Sequence, residues 1–86
     1  MNVKIFVKND CPKCPPAHTL HDELKTQSVE VKLFNTDNSR DELAESAFHS
    51  VMATPTIVLV DTSDAEIKSW RGDVPSSDEI LKTINV

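Results

Sequence analysis

Cys11, Pro12, Lys13 and Cys14 hold the only two cysteines of the chain, separated by two residues. At that spacing both sulfurs can come within bonding distance at a helix start. One thiolate can then attack a disulfide, and the second thiol can resolve the mixed disulfide that forms. A ring this small constrains the unfolded chain little, so a structural staple is the weaker reading and a reactive dithiol the stronger. The pair follows an apolar segment, Val3-Lys4-Ile5-Phe6-Val7, and about forty residues later Ala53-Thr54-Pro55-Thr56 opens a second apolar run. The chemistry is complete in the disulfide itself: no cofactor is expected beyond the redox-active pair Cys11–Cys14.

Metal chemistry competes for the same residues, because the segment also reads Cys11-x-x-Cys14-x-x-x-His18-x-x-His21. A tetrahedral zinc site uses these ligand types. The spacing is tight, however, and His21 falls almost a turn beyond His18 on a helix that partly faces solvent. No metal ligand is therefore expected. His21 and His49 read as exposed polar residues, and His18 could modulate the cysteines.

The elements that must position the dithiol are legible from periodicity. Residues 3 to 7 form a strand leading into the cysteine loop. A helix from about Pro16 to Lys25 carries Ala17, Leu20 and Leu24 on one face. Pro15 and Pro16 lack N–H donors and disfavour helical geometry in the residue before each, so regular helix begins there and not at Cys11. Residues 29 to 34 alternate as a strand. Ser39-Arg40-Asp41-Glu42 has the capping-box pattern and opens a second helix to about His49, with Leu43, Ala44, Ala47 and Phe48 expected inward. Thr56-Ile57-Val58-Leu59-Val60 suits a central strand covered on both faces. Asp61-Thr62-Ser63-Asp64 is turn chemistry, and Ala65 to Trp70 alternates as a return strand. Ser76-Ser77-Asp78-Glu79 caps a last helix containing Ile80, Leu81 and Ile84, with acids at its start and Lys82 near its end to complement the macrodipole.

Bulk properties narrow the function classes. At 86 residues the chain is one domain, 1–86, near the small end of what folds alone. Its net charge is −5, with acids and bases interspersed, which argues against nucleic-acid binding because phosphate neutralisation needs a basic patch. Met1-Asn2-Val3-Lys4 lacks the apolar core of a signal peptide, and no run approaches membrane-spanning length. A cytoplasmic, thiol-reducing location and a monomer are expected, with no membrane partner.

The order β-α-β-α-β-β-α, with a four-stranded mixed sheet and three helices, is that of a minimal thioredoxin (glutaredoxin-like) α/β fold. The first strand pair, joined through a helix, should be parallel and the last a hairpin. Over essentially its whole length the chain resembles the small glutaredoxin-like redoxins. The marks are Cys11-Pro12-Lys13-Cys14, Thr54-Pro55 and Trp70-Arg71-Gly72-Asp73-Val74-Pro75. The last is similar to the Trp-Ser-Gly-Phe-Arg-Pro segment of NrdH-type redoxins, electron donors to ribonucleotide reductases. Cys-Pro-x-Cys is the common glutaredoxin form. The stretch Val51 to Thr56 looks like thioredoxin, Asp10 replaces the aromatic residue that often precedes the first cysteine, and Gly72 stands alone where glutaredoxins carry a Gly-Gly pair.

The resemblance implies a dithiol–disulfide oxidoreductase. Cys11 would be the exposed attacker, its thiolate favoured by backbone N–H groups and nearby Lys8 and Lys13, and Cys14 the shielded resolver. It implies a cis bond at Thr54–Pro55 opposite the dithiol, presenting Thr54 backbone groups to an extended substrate. Pro12, Lys13, Thr54, Pro55, Trp70 and Gly72 would bind substrate. The partners implied are proteins bearing disulfides, among them ribonucleotide reductase, and a flavoprotein disulfide reductase as electron source. Three alternatives stay open: a glutathione-dependent glutaredoxin, an iron–sulfur-binding glutaredoxin dimer, and a metal-delivery module. Small copper chaperones place Cys-x-x-Cys after a first strand too, but run β-α-β-β-α-β, without the helix that the Ser39 capping box marks.

Overall fold

The computed structural model describes residues 1–85. Its elements are β1 (Asn2–Val7), α1 (Pro15–Thr26), β2 (Val31–Asn35), α2 (Arg40–Phe48), β3 (Thr56–Val60), β4 (Glu66–Arg71) and α3 (Ser77–Ile84). The sheet order is β2-β1-β3-β4, so the two most apolar strands lie at its centre. β1 pairs parallel with β2, whereas β1–β3 and β3–β4 are antiparallel. This is the architecture that the order of elements implies. No helix among the described residues is long and apolar enough to cross a membrane.

Alternation along β1 and β3 sorts the core into two layers. Val3, Ile5, Val7, Ile57 and Leu59 face α1 and α3, where Ala17, Leu20, Leu24 and Ile80 complete the larger cluster. Phe6, Val58 and Val60 form a smaller cluster on the opposite face with Phe34 and Val51. Phe34 stacks on Phe6 with ring centroids 5.1 Å apart. The capping boxes form as read: Ser39 and Ser76 accept from the backbone N–H of Glu42 and Glu79.

The second helix departs from its sequence reading. Leu43 and Phe48 were expected inward, yet they are 55% and 68% exposed, and Ala44 and Ala47 are exposed as well. Ser46 and His49 are buried instead, so His49 is not the exposed polar residue its type implied. The cause is Lys4. It sits on the α2 face of the central strand and is itself buried, so its ammonium requires partners. Glu45 and Asp64 pair with it, Asp64 at 2.8 Å, and His49 Nε2 lies 3.1 Å from its Nζ. Satisfying that charge rotates α2 to present its polar residues to the sheet. Burial alone would lower the Lys4 pKa, but hydrogen bonds to Asp64 and Glu45 outweigh it and raise the value above the ordinary one. Asp64 is correspondingly lowered, chiefly by the hydrogen bond from Lys4. Glu45, His49 and Asp64 offer ligand atoms within 4.8 Å of one another, the one such group among the described residues; the Lys4 ammonium supplies the positive charge there.

Candidate active site

β1, an inner strand, delivers the chain to the middle of one end of the sheet, and Lys8, Asn9 and Asp10 continue it into the cysteine loop. Asp10 takes a left-handed φ of 54°, a conformation that Asp tolerates better than most residues. Asn9 N–H donates to Asp37 Oδ2 (3.0 Å), and Asn35 Nδ2 donates to Asn9 Oδ1 (3.1 Å), tying this loop to the end of β2. Cys11 to Cys14 then form a turn in which Cys14 N–H donates to the Cys11 carbonyl at 3.2 Å. Helix α1 starts at Pro15, with prolines at its first two positions. Those positions lose no intrahelical bond to a missing N–H.

Cys11 and Cys14 are joined as a disulfide with Cα atoms 5.3 Å apart. Their surroundings differ. Cys14 is 3% exposed and belongs to the larger core cluster. Cys11 is half-buried, at the surface end of the pair. The helix N-terminus lies beyond Cys14, and two of its first-turn donors are absent because they are prolines. The hydrogen-bond donor that reaches the Cys11 sulfur comes from elsewhere: Thr54 Oγ1 donates to Cys11 Sγ at 3.6 Å.

Thr54–Pro55 is a cis peptide bond at the entrance to β3. Gly72 N–H donates to the Pro55 carbonyl (2.8 Å), holding the turn after β4 against it. Gly72 has φ 75°, and a Cβ there would meet nothing within 4 Å, so its glycine is required by backbone conformation and not by space. A groove of about 390 Å³ runs between Pro12, Lys13 and Pro16 on one side and Pro55, Gly72, Asp73 and Val74 on the other.

The structure thus gathers Cys11, Cys14, Pro12, Lys13, Thr54, Pro55 and Gly72 at one end of the sheet. Trp70 stands apart from the groove. Its ring packs on the larger core, its Nε1 donates to a Glu79 carboxylate oxygen, and Lys68 Nζ lies 5.1 Å from the ring centroid. His18 is exposed, and His21 lies beside Asp22, Nδ1 to Oδ1 3.5 Å. Pro16, Asp73 and Val74 line the groove as well, although the sequence reading named them only as helix-start and glycine-turn residues and not among the substrate-binding ones. Their signal was available in principle: each adjoins a marked residue, Pro16 through the double proline and Asp73 and Val74 through the glycine turn.

A family model described as a thioredoxin domain matches residues 1–85. No curated protein sequence matches the chain. Among solved structures, thioredoxin 1 from Thermosipho africanus is similar at a TM-score of 0.74 and 20% identity, covering 99% of this chain and 91% of that one. Thioredoxin-2, a component of malaria parasite protein secretion machinery, gives 0.73 and 22%, with coverages of 96% and 79%. A thioredoxin from Thermus thermophilus gives 0.64 and 24%, with coverages of 96% and 69%. At these identities the structural likeness speaks to fold, which agrees with the family match. The chain belongs to the thioredoxin-domain family, and it carries a disulfide-capable Cys11–Cys14 pair at the end of the sheet.

Proposed function

We propose that this protein is a dithiol carrier that reduces protein disulfides through Cys11 and Cys14. The observation that carries the reading is the asymmetry of the pair: Cys14 is sealed in the core, while Cys11 is nearer the surface and accepts the Thr54 hydroxyl. In the reduced protein the Cys11 thiolate attacks one sulfur of a substrate disulfide. The substrate's S–S bond breaks, its other sulfur leaves as a thiolate, and a mixed disulfide forms on Cys11. Cys14, deprotonated, then attacks Cys11 Sγ; the mixed disulfide breaks and the second substrate sulfur leaves. The substrate gains two electrons, and the protein is left with the Cys11–Cys14 disulfide.

That disulfide must be recharged by a two-electron donor. We place a flavoprotein disulfide reductase in this role, and ribonucleotide reductase among the protein substrates. The support for the second is the Trp70-x-Gly72-x-x-Pro75 spacing. The support for the first is Asp73 on the groove beside the dithiol. Glutathione carries two carboxylates that need donors and positive charge, and a third carboxylate in the groove opposes them. Lys13 faces the other way in charge and keeps glutathione as the second reading.

The test is a coupled NADPH assay with insulin as the disulfide substrate. A thioredoxin-reductase-type flavoenzyme is compared with glutathione plus its own reductase. Turnover with the flavoenzyme should exceed that with glutathione by about tenfold, a difference of about 1.4 kcal/mol in barrier. Rapid glutathione-dependent turnover with none from the flavoenzyme makes the protein a glutaredoxin in function. Inertness toward insulin with both systems rejects the dithiol-carrier reading.

A further inference from the structure

Thr54 reaches Cys11 from loop 51–54, the middle of the seven-residue connection 49–55 that joins α2 to β3. Both ends of this loop are held by the same corner of β4. At the far end Gly72 N–H donates to the Pro55 carbonyl at 2.8 Å. At the near end the guanidinium of Arg71 spans two carbonyls, with Nη1 donating to Ser50 O at 3.0 Å and Nη2 to His49 O at 3.1 Å. His49 is the C-cap of α2, and Ser50 follows it with a left-handed φ of 55°. Carbonyls at a helix C-terminus lack intrahelical partners and carry the negative end of the dipole. α2 has no basic residue in its own last turn, so the positive charge comes from β4. Glu66 accepts from Arg71 Nη2 at 2.8 Å and fixes the guanidinium from behind.

We infer that Arg71 is a positioning residue for disulfide exchange: its guanidinium anchors the α2 end of loop 51–54 and thereby sets Thr54 over Cys11. This rests on the dithiol-carrier reading above. The role depends on the planar fork of arginine. Lysine keeps the charge but cannot reach two carbonyls and a carboxylate in one plane. An extended protein substrate lies along the Thr54 backbone and needs that loop in place. A small aromatic disulfide needs the thiolate and little else.

Arg71→Lys and Arg71→Ala, in the full chain, separate these demands. The rates to compare are those with insulin and with 5,5′-dithiobis(2-nitrobenzoic acid). For both variants KM for insulin should rise about tenfold, while the rate with the small disulfide, measured at about pH 8 where the thiolate depends least on the Thr54 donor, falls less than about threefold. Backbone ¹⁵N order parameters at Met52 to Thr54 should drop from about 0.85 toward 0.6, with Ile57 to Leu59 unchanged. Glu66→Gln, which spares Arg71 and its carbonyl bonds, should give a smaller rise in KM. The inference is overturned if insulin and the small disulfide lose rate in parallel, if neither does, or if the loop keeps its order in Arg71→Lys and Arg71→Ala. A wild-type protein inert toward both disulfides sinks the dithiol-carrier reading and the reaction half of this inference; the order parameters then decide the anchoring half by themselves.

Discussion

The Thr54 hydroxyl donates to the sulfur of Cys11 from 43 residues further along the chain, at 3.6 Å. The start of α1 is set back to Pro15, so the expected outcome is that this hydroxyl, once the disulfide is reduced, acts as the donor that a helix N-terminus otherwise supplies. Thr54→Val keeps the shape and removes the donor. Alkylation of reduced Cys11 by iodoacetamide at pH 6 should slow about fivefold, the equivalent of about 1 kcal/mol for one hydrogen bond. Thr54→Ser should retain most of the wild-type rate. Equal rates for Thr54→Val and the wild type would mean that the hydroxyl does not act on the thiolate.

On the dithiol-carrier reading proposed above, the burial difference within the pair predicts which cysteine takes which step. Cys11→Ser should abolish reduction of insulin, because Cys14 is sealed beneath the surface. Cys14→Ser should leave the attack intact and halt at the mixed disulfide. Mass spectrometry of the variant after incubation with substrate should find the adduct on Cys11. An adduct on Cys14 of Cys11→Ser at comparable rate would reverse the assignment.

Lys4 holds α2 in its inverted orientation, and its removal should cost stability out of proportion to its size. Lys4→Met fits an apolar strand but strands Glu45 and Asp64 without their cation. Those carboxylates are partly exposed, so the loss should be about 2 kcal/mol, below the 3–5 kcal/mol typical of a fully buried pair. Urea unfolding measures it. The double variant Lys4→Met/Glu45→Gln should recover part of the loss, which a double-mutant cycle isolates. Additive losses would show that Lys4 and Glu45 are not coupled.

This cluster also marks where sequence reasoning stopped. The strands, both capping boxes and the start of α1 at the prolines follow from local rules, and the dithiol follows from residue type and spacing, whereas the place of Thr54–Pro55 opposite it came from the resemblance to the redoxins. Local rules failed at α2 because its periodicity offers two faces. Leu43, Ala44, Ala47 and Phe48 make the more apolar one, and nothing within the helix argues for the other. The decision lies in Lys4, the one charge within β1, whose remaining residues from Val3 to Val7 are apolar. A lysine there reads locally as an edge or a snorkelling side chain. Its effect emerges only when Lys4 is known to lie on the face that α2 covers, beside Glu45, His49 and Asp64, which depends on the assembly of the whole fold. Arg71 was hidden for the same reason, since its partners lie at the end of α2 and become neighbours only once β4 has paired with β3.

Stability should depend on pH at both extremes. Asp64 is held below the ordinary carboxylate range by Lys4. Glu42 is lowered by the Asn35 backbone N–H and the Asn38 amide, and Asp61 by the Ser63 hydroxyl and the Ala65 N–H. A carboxylate with a depressed folded value contributes stability above its unfolded value of about 4, and that contribution is lost as pH falls through the folded value. Lys4 has the opposite sign: its contribution is complete below about 10.4 and is lost as pH climbs through its raised folded value. Urea midpoints should therefore fall below about pH 4 and again above about pH 10.4. Asp64→Asn should flatten the acid limb in part, because Glu42 and Asp61 still titrate. An acid limb identical to wild type would remove Asp64 from the account.

Asp73 gives the sharpest test of the electron source. It is exposed at the groove across from Lys13, and its Oδ1 accepts from Val74 N–H at 2.9 Å. If its charge is what disfavours glutathione, reversing that charge should admit the tripeptide. Asp73→Lys should raise glutathione-dependent reduction of a small mixed disulfide about fivefold, the equivalent of about 1 kcal/mol for an exposed ion pair. The gain should shrink in high salt, since exposed pairs are screened over about 8–10 Å at moderate ionic strength. Asp73→Asn, which removes charge without adding any, should lie between. Turnover by a flavoprotein reductase should change far less, because its disulfide exchange draws on the dithiol and the Thr54 edge. If Asp73→Lys leaves glutathione turnover unchanged at low salt, the Asp73 carboxylate is not the barrier, and the preference for a flavoprotein loses its physical basis.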